Sequence, residues 1–113
     1  MESVRQQKVA RLLQKELAEI FRANSKTFFN GAFITVTLVR VSPDLGYAKI
    51  YLSIMAAKDK KAILQMATDH YPQIRYQLGE AIRRQVRVIP ELSFFIDDSL
   101  DYAENIENLL KKK

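Results

Sequence analysis

Cations at helical spacing, and tyrosines alternating with a lysine, are the chemistry on offer in this sequence: neutralisation of phosphates and stacking against flat rings. Arg5, Lys8, Arg11 and Lys15 follow one flank of "SVRQQKVARLLQKELAEIFRAN". A second helical stretch, "DHYPQIRYQLGEAIRRQ", carries Arg75, Arg83 and Arg84, with Arg87 just beyond it. In "YAKIYLSI", Lys49 sits between Tyr47 and Tyr51 on one strand face. Solvated helix flanks and half-exposed strands of unrelated proteins look similar, so the pattern nominates residues without assigning them a ligand.

The formal net charge is +5 at a sequence pI near 9.6, which favours a polyanionic partner. Residues 1–92 hold 15 basic and 8 acidic side chains, a balance of +7, whereas 97–113 form an acidic and then basic ending. The basic character therefore belongs to the body of the chain.

Catalytic chemistry finds little support. His70 is the single histidine and stands in no nucleophile or base motif. Asp97, Asp98 and Asp101 form the best candidate cluster for a magnesium ion, but capping and dipole pairing of a closing helix explain Asp98 and Asp101 sufficiently. Gly31, Gly46 and Gly79 are scattered and build no phosphate loop. Cysteine is absent, which excludes thiol catalysis and disulfides and suits a reducing cytoplasm. No stretch approaches the roughly 20 apolar residues of a membrane span, and the charged N-terminus lacks the apolar core of a secretion signal. A non-enzymatic cytoplasmic protein, without metal, cofactor or membrane, is expected.

The elements that would position the cations are legible from periodicity. Val9, Leu13, Leu17 and Ile20, widened by Leu12 and Phe21, predict a helix over residues 3–23. "ITVTLVRV" and "YAKIYLSI" flank the turn "SPDLG" and predict an antiparallel hairpin, with Ala48, Ile50, Leu52 and Ile54 facing the core. Ile63, Leu64 and Ala67, then Ile74, Leu78, Ala81 and Ile82, give a helical stripe that Pro72 interrupts. Proline lacks an amide proton and pushes the residue before it, Tyr71, out of helical geometry. "ELSFFI" predicts a third strand and "DDSLDYAENIENLL" a short closing helix capped by Asp98 or Ser99. The expectation is one α+β domain over 1–113, with helices on one face of a three-stranded sheet.

Three stretches together resemble the ribosome-binding factor A family of bacterial small-subunit assembly factors. Ser42, Asp44, Leu45, Ala48 and Lys49 meet one motif. Pro90, Glu91, Leu92, Phe94, Asp97, Ser99 and Leu100 meet a second, and Arg5, Val9, Ala10, Glu16 and Leu17 match the opening helix. The resemblance implies a type II KH-like domain: helix, strand, strand, kinked helix, strand, plus a short C-terminal helix. Where RNA-binding KH domains place a Gly-x-x-Gly loop, the family resembled carries an Ala-x-Gly kink, and here His70, Tyr71 and Pro72 occupy it. Aligned in this way, Arg75, Gly79 and Arg83 fall along one line of the second helix, Gly79 leaving room for a close neighbour, with Arg84 and Arg87 extending the positive surface.

The resemblance further implies a monomer that binds the small ribosomal subunit and its ribosomal RNA, aids late maturation and processing of the RNA 5′ end, functions in cold adaptation, and is released by an assembly GTPase. The candidate RNA-binding residues are Arg5, Lys8, Arg11, Lys49, Arg75, Arg83, Arg84 and Arg87. The alternative is a protein-interaction module whose acidic closing segment and exposed sheet face, with Tyr47 and Tyr51, bind a protein partner, its positive charge serving mainly solubility.

Overall fold

The computed structural model describes residues 2–55 and 57–97. The predicted closing helix, with Asp98, Ser99 and Asp101, lies outside the described residues.

Helix α1 spans Val4–Ala23 and starts with a reciprocal cap: the Gln6 amide donates to Ser3 Oγ at 3.1 Å, and the Ser3 amide donates to Gln6 Oε1 at 2.8 Å. Gln6 is buried, and its Nε2 donates to the Val41 carbonyl at 2.9 Å, fastening the helix start to the end of a strand. Leu13, Leu17, Ile20 and Phe21 are buried as the periodicity predicts, whereas Val9 and Leu12 are only partly covered. A single turn, α2 (Ser25–Phe28), follows. The chain then reverses through Asn30 and Gly31, both at positive φ, 52° and 82°.

Strands β1 (Phe33–Val41) and β2 (Tyr47–Met55) pair antiparallel, and β3 (Glu91–Ile96) lies parallel to β2 on its other side. Ala48, Ile50, Leu52 and Ile54 are buried, as expected. β1 does not alternate throughout. Its buried residues are Ile34, Val36, Val39 and Val41, and the register slips between Val36 and Leu38. A bulge at Thr37 supplies the one-residue phase change that lets both halves face the core. Gln14 Nε2 donates to the Val36 carbonyl at 3.0 Å, and the Thr37 hydroxyl donates to Asp97 Oδ2 at 2.6 Å.

Parallel β2 and β3 require a crossover, which is made by α3 (Lys60–Asp69) and α4 (Tyr71–Ile82). Ile63, Ala67, Ile74, Leu78 and Ile82 join the core, Leu64 packs against it, and Ala81 is exposed, one residue off the buried stripe. The helix pair does break beside Pro72, but the break falls at His70 (φ −97°, ψ 16°) and not at Tyr71, which begins α4. A proline ring clashes with the carbonyl four residues earlier, and a helix's first turn has no such carbonyl to meet. The His70 amide closes α3 on Met66, and the His70 carbonyl accepts the first bond of α4 from Ile74.

Candidate nucleic-acid interface

The N-terminal turn of α1, the β1–β2 turn and the α4–β3 connection meet around a cleft of about 680 Å³. Arg5 and Lys8 enter it from α1 and Arg87 from the connection. All three are exposed, and none forms an ion pair among the described residues. Two cations of α1 and a third about 80 positions further along the chain are thus gathered at one concave surface, where their fields add and none is held in an ion pair among the described residues.

The β1–β2 side of the cleft is held rigidly. The Ser42 hydroxyl donates to Asp44 Oδ1 at 2.6 Å, the Gly46 amide donates to the same oxygen at 3.0 Å, and the Tyr47 amide donates to Ser42 Oγ at 3.0 Å. The Ser42 hydroxyl and the Gly46 amide keep the Asp44 carboxyl below the usual carboxylate range. Within this net Leu45 takes φ 63°, a left-handed conformation that bulky residues seldom adopt. Leu45 belongs to the first of the motifs read in the sequence, but its left-handed conformation is visible only in the backbone.

The other sequence candidates divide. Arg11 is exposed on α1 away from the cleft. Arg83 and Arg84 are exposed in the turn after α4, with Arg83 4.0 Å from Glu80. Lys49 lies on the open face of the sheet, directly across from Arg40 on β1. Sequence reading missed Arg40 because the bulge reverses which residues of β1 face outward. On the same face Tyr51 stacks on Phe95 at 5.4 Å, while the Tyr47 hydroxyl donates to Ser93 Oγ at 2.8 Å.

Arg75 departs furthest from expectation. Its Nη2 donates to the Ile89 carbonyl at 2.7 Å and its Nε to the Pro90 carbonyl at 3.3 Å, with Glu91 at 3.8 Å. Two of its five N–H donors are held by the chain's own backbone, so it fastens α4 to the start of β3. Tyr71 reinforces the same clasp: its hydroxyl donates to Glu91 Oε2 at 2.9 Å and accepts from the Leu92 amide at 3.0 Å. Burial, with Glu91 beside it, pushes the Tyr71 phenol above its ordinary value. His70 stacks on Phe28 at 4.2 Å, the planes 11° apart. His70 and Tyr71 are thus packed into the fold, while Pro72 is exposed.

Gly79 makes no close approach that requires glycine. A Cβ there would lie 3.7 Å from Ile89 Cγ1, an ordinary contact, so the expected crowding is corrected. Gly79→Ala is expected to stabilise the protein by about 0.5–1 kcal/mol, because alanine loses less backbone entropy in a helix interior. A urea titration followed by circular dichroism checks this; a lower midpoint would show that the site is crowded after all.

The family model for Ribosome-binding factor A matches residues 5–110. Ribosome-binding factor A of Cytophaga hutchinsonii is 54% identical over 112 residues, covering 99% of this chain and 84% of its own. The chain belongs to the ribosome-binding factor A family. The protein of the same name from Flavobacterium psychrophilum is 38% identical over 114 residues, covering 100% of this chain and 88% of its own. Among solved structures, the crystal structure of ribosome-binding factor A from Thermus thermophilus superposes with a TM-score of 0.67 at 21% identity, covering 80% of this chain and 94% of that one. A homology model of the Thermus thermophilus factor, fitted into the cryo-EM map of a 30S–RbfA complex, gives a TM-score of 0.63 at 22% identity over 79% of this chain and 91% of its own. The α+β fold is thus that of the family, with its KH-like order of elements.

Family membership also explains where the shared motifs sit. Ser42 and Asp44 tie the β1–β2 turn, Ala48 and Leu92 fill the core, and Pro90 is fully buried. Of the family motif residues in β2, Lys49 alone is turned to solvent.

Proposed function

We propose that this protein binds the small ribosomal subunit as a non-enzymatic assembly factor and holds a folded arrangement of its ribosomal RNA during late maturation near the 5′ end. The observation that carries the reading is the meeting of Arg5, Lys8 and Arg87 at one cleft without ion-pair partners among the described residues. Buried or paired cations would have their charge already spent; these three are available to phosphates. The 30S–RbfA complex of the Thermus factor supports the choice of particle. The protein works in this reading as a cytoplasmic monomer, in cold adaptation among other conditions, and leaves the matured subunit through the action of an assembly GTPase.

Co-sedimentation with small subunits, large subunits and joined ribosomes over a salt series tests it. Binding to free small subunits is expected to fall with salt, log K losing about 0.7–0.9 per log unit for each phosphate neutralised. In the triple variant Arg5→Glu, Lys8→Glu, Arg87→Glu that slope should shrink by about 2–3, three contacts at this value each. No binding to small subunits at low salt overturns the proposal. Binding that survives the triple variant, and is lost on replacing Tyr47 and Tyr51, favours a protein-interaction module working through the open sheet face.

A further inference from the structure

The cleft holds more than cations. Val9, Leu45, Val86 and Val88 supply apolar walls, and Val88 is 64% exposed, so its side chain is open to a bound molecule. Asp44 also lines the cleft. A surface that only tracked the phosphates of a duplex would gain nothing from the walls and would be weakened by the carboxylate.

We infer that this cleft seats one unpaired nucleotide of an RNA strand, which deepens the RNA-binding reading and rests on it. Its phosphates meet Arg5, Lys8 and Arg87, its ribose and base edge lie against Leu45, Val86 and Val88, and Asp44 accepts a hydrogen bond from a ribose hydroxyl or a base amine. A volume of about 680 Å³ suits a ligand of this size. Asp44 is set up for the acceptor role: Oδ1 is held by the Ser42 hydroxyl and the Gly46 amide, while Oδ2 receives no hydrogen bond within the turn. The conformation of Leu45 fits the same purpose. Holding a bulky residue at φ 63° is strained, and such strain persists where surrounding bonds over-determine it, as the Ser42 and Asp44 net does here. A turn selected only for stability would place glycine or asparagine at that position.

The test is an isotope-labelled NMR titration of the full chain with three probes: a short single-stranded oligoribonucleotide, its DNA counterpart, and an RNA duplex at equal phosphate concentration. Single-stranded RNA is expected to shift the amide signals of Leu45, Val86 and Val88, and duplex is not. Val88→Asp, at an exposed position that leaves folding intact, should weaken single-strand binding by about tenfold, the loss of one apolar contact with added repulsion. Asp44→Asn, which can keep the turn's acceptor, should reduce the preference for RNA over DNA. Equal shifts from duplex and single strand, or no shift at these three residues, overturn the inference. Co-sedimentation with small subunits then stands apart: binding that persists there, while the cleft signals stay still, sinks the nucleotide seat and leaves the assembly-factor reading in place.

Discussion

Phe21→Ala is expected to lower the stability of the fold by about 3–5 kcal/mol, a large share of the roughly 5–15 kcal/mol available to a small domain. Phe21 is 1% exposed, near the end of α1, and its ring lies 5.4 Å from Phe29 and 5.8 Å from Phe94. It therefore joins three parts of the chain: the first helix, the reversal into β1, and the edge strand β3. Removing the ring leaves a cavity bounded by two other rings and by strand backbone, which cannot collapse to fill it. Tilted aromatic pairs add about 0.5–1.5 kcal/mol beyond buried area. Urea unfolding followed by circular dichroism measures the loss, with Phe33→Ala as the contrast. Phe33 is 59% exposed on the open sheet face, so its truncation should fall within about 0.5 kcal/mol of zero. A Phe21 variant as stable as the Phe33 variant would show that the aromatic cluster is not part of the core.

Phe21 was legible as an inward residue because helical spacing put it on the stripe of Leu13 and Leu17. The same holds for the even-numbered residues of β2, where strict alternation and burial agree. β1 shows the limit. Leu38 and Val39 are adjacent apolar residues in an otherwise alternating strand, a phase change that a bulge resolves. The doublet is visible in sequence, but which of the two faces inward depends on the register with β2, a contact between strands.

The candidate interface was legible as a set of residue types and not as a place. Arg5 and Lys8 share a helix flank, so their association follows from period alone. Arg87 joins them only because α4 returns the chain beside α1 and the connection to β3 folds over the end of both, and that connection has no periodicity to read. The intramolecular partners of Arg75 were hidden for a related reason. Its partners are the carbonyls of Ile89 and Pro90, and every residue carries a carbonyl, so composition holds no trace of the pairing.

Arg75 consequently separates two explanations that a charge-reversal experiment would merge. Arg75→Ala is expected to destabilise the fold by about 2–3 kcal/mol: two charge-assisted bonds to backbone carbonyls are lost, and the group is partly solvated, its side chain 35% exposed. The Glu91 contact at 3.8 Å contributes little, since Glu91 is 67% exposed. Arg75→Lys should recover only part of the loss, because a single ammonium cannot reproduce the planar fork that spans two carbonyls. Arg87→Ala should show the opposite profile, with stability changed by less than about 0.5 kcal/mol and the salt slope of subunit binding reduced by about 0.7–0.9. If Arg75→Ala instead leaves the urea midpoint unchanged and lowers the salt slope, Arg75 is a phosphate contact and the clasp is incidental. If stability falls and the slope holds, any variant that reverses Arg75 together with Arg83 and Arg84 loses binding partly through unfolding of the α4–β3 connection that carries Arg87 to the cleft.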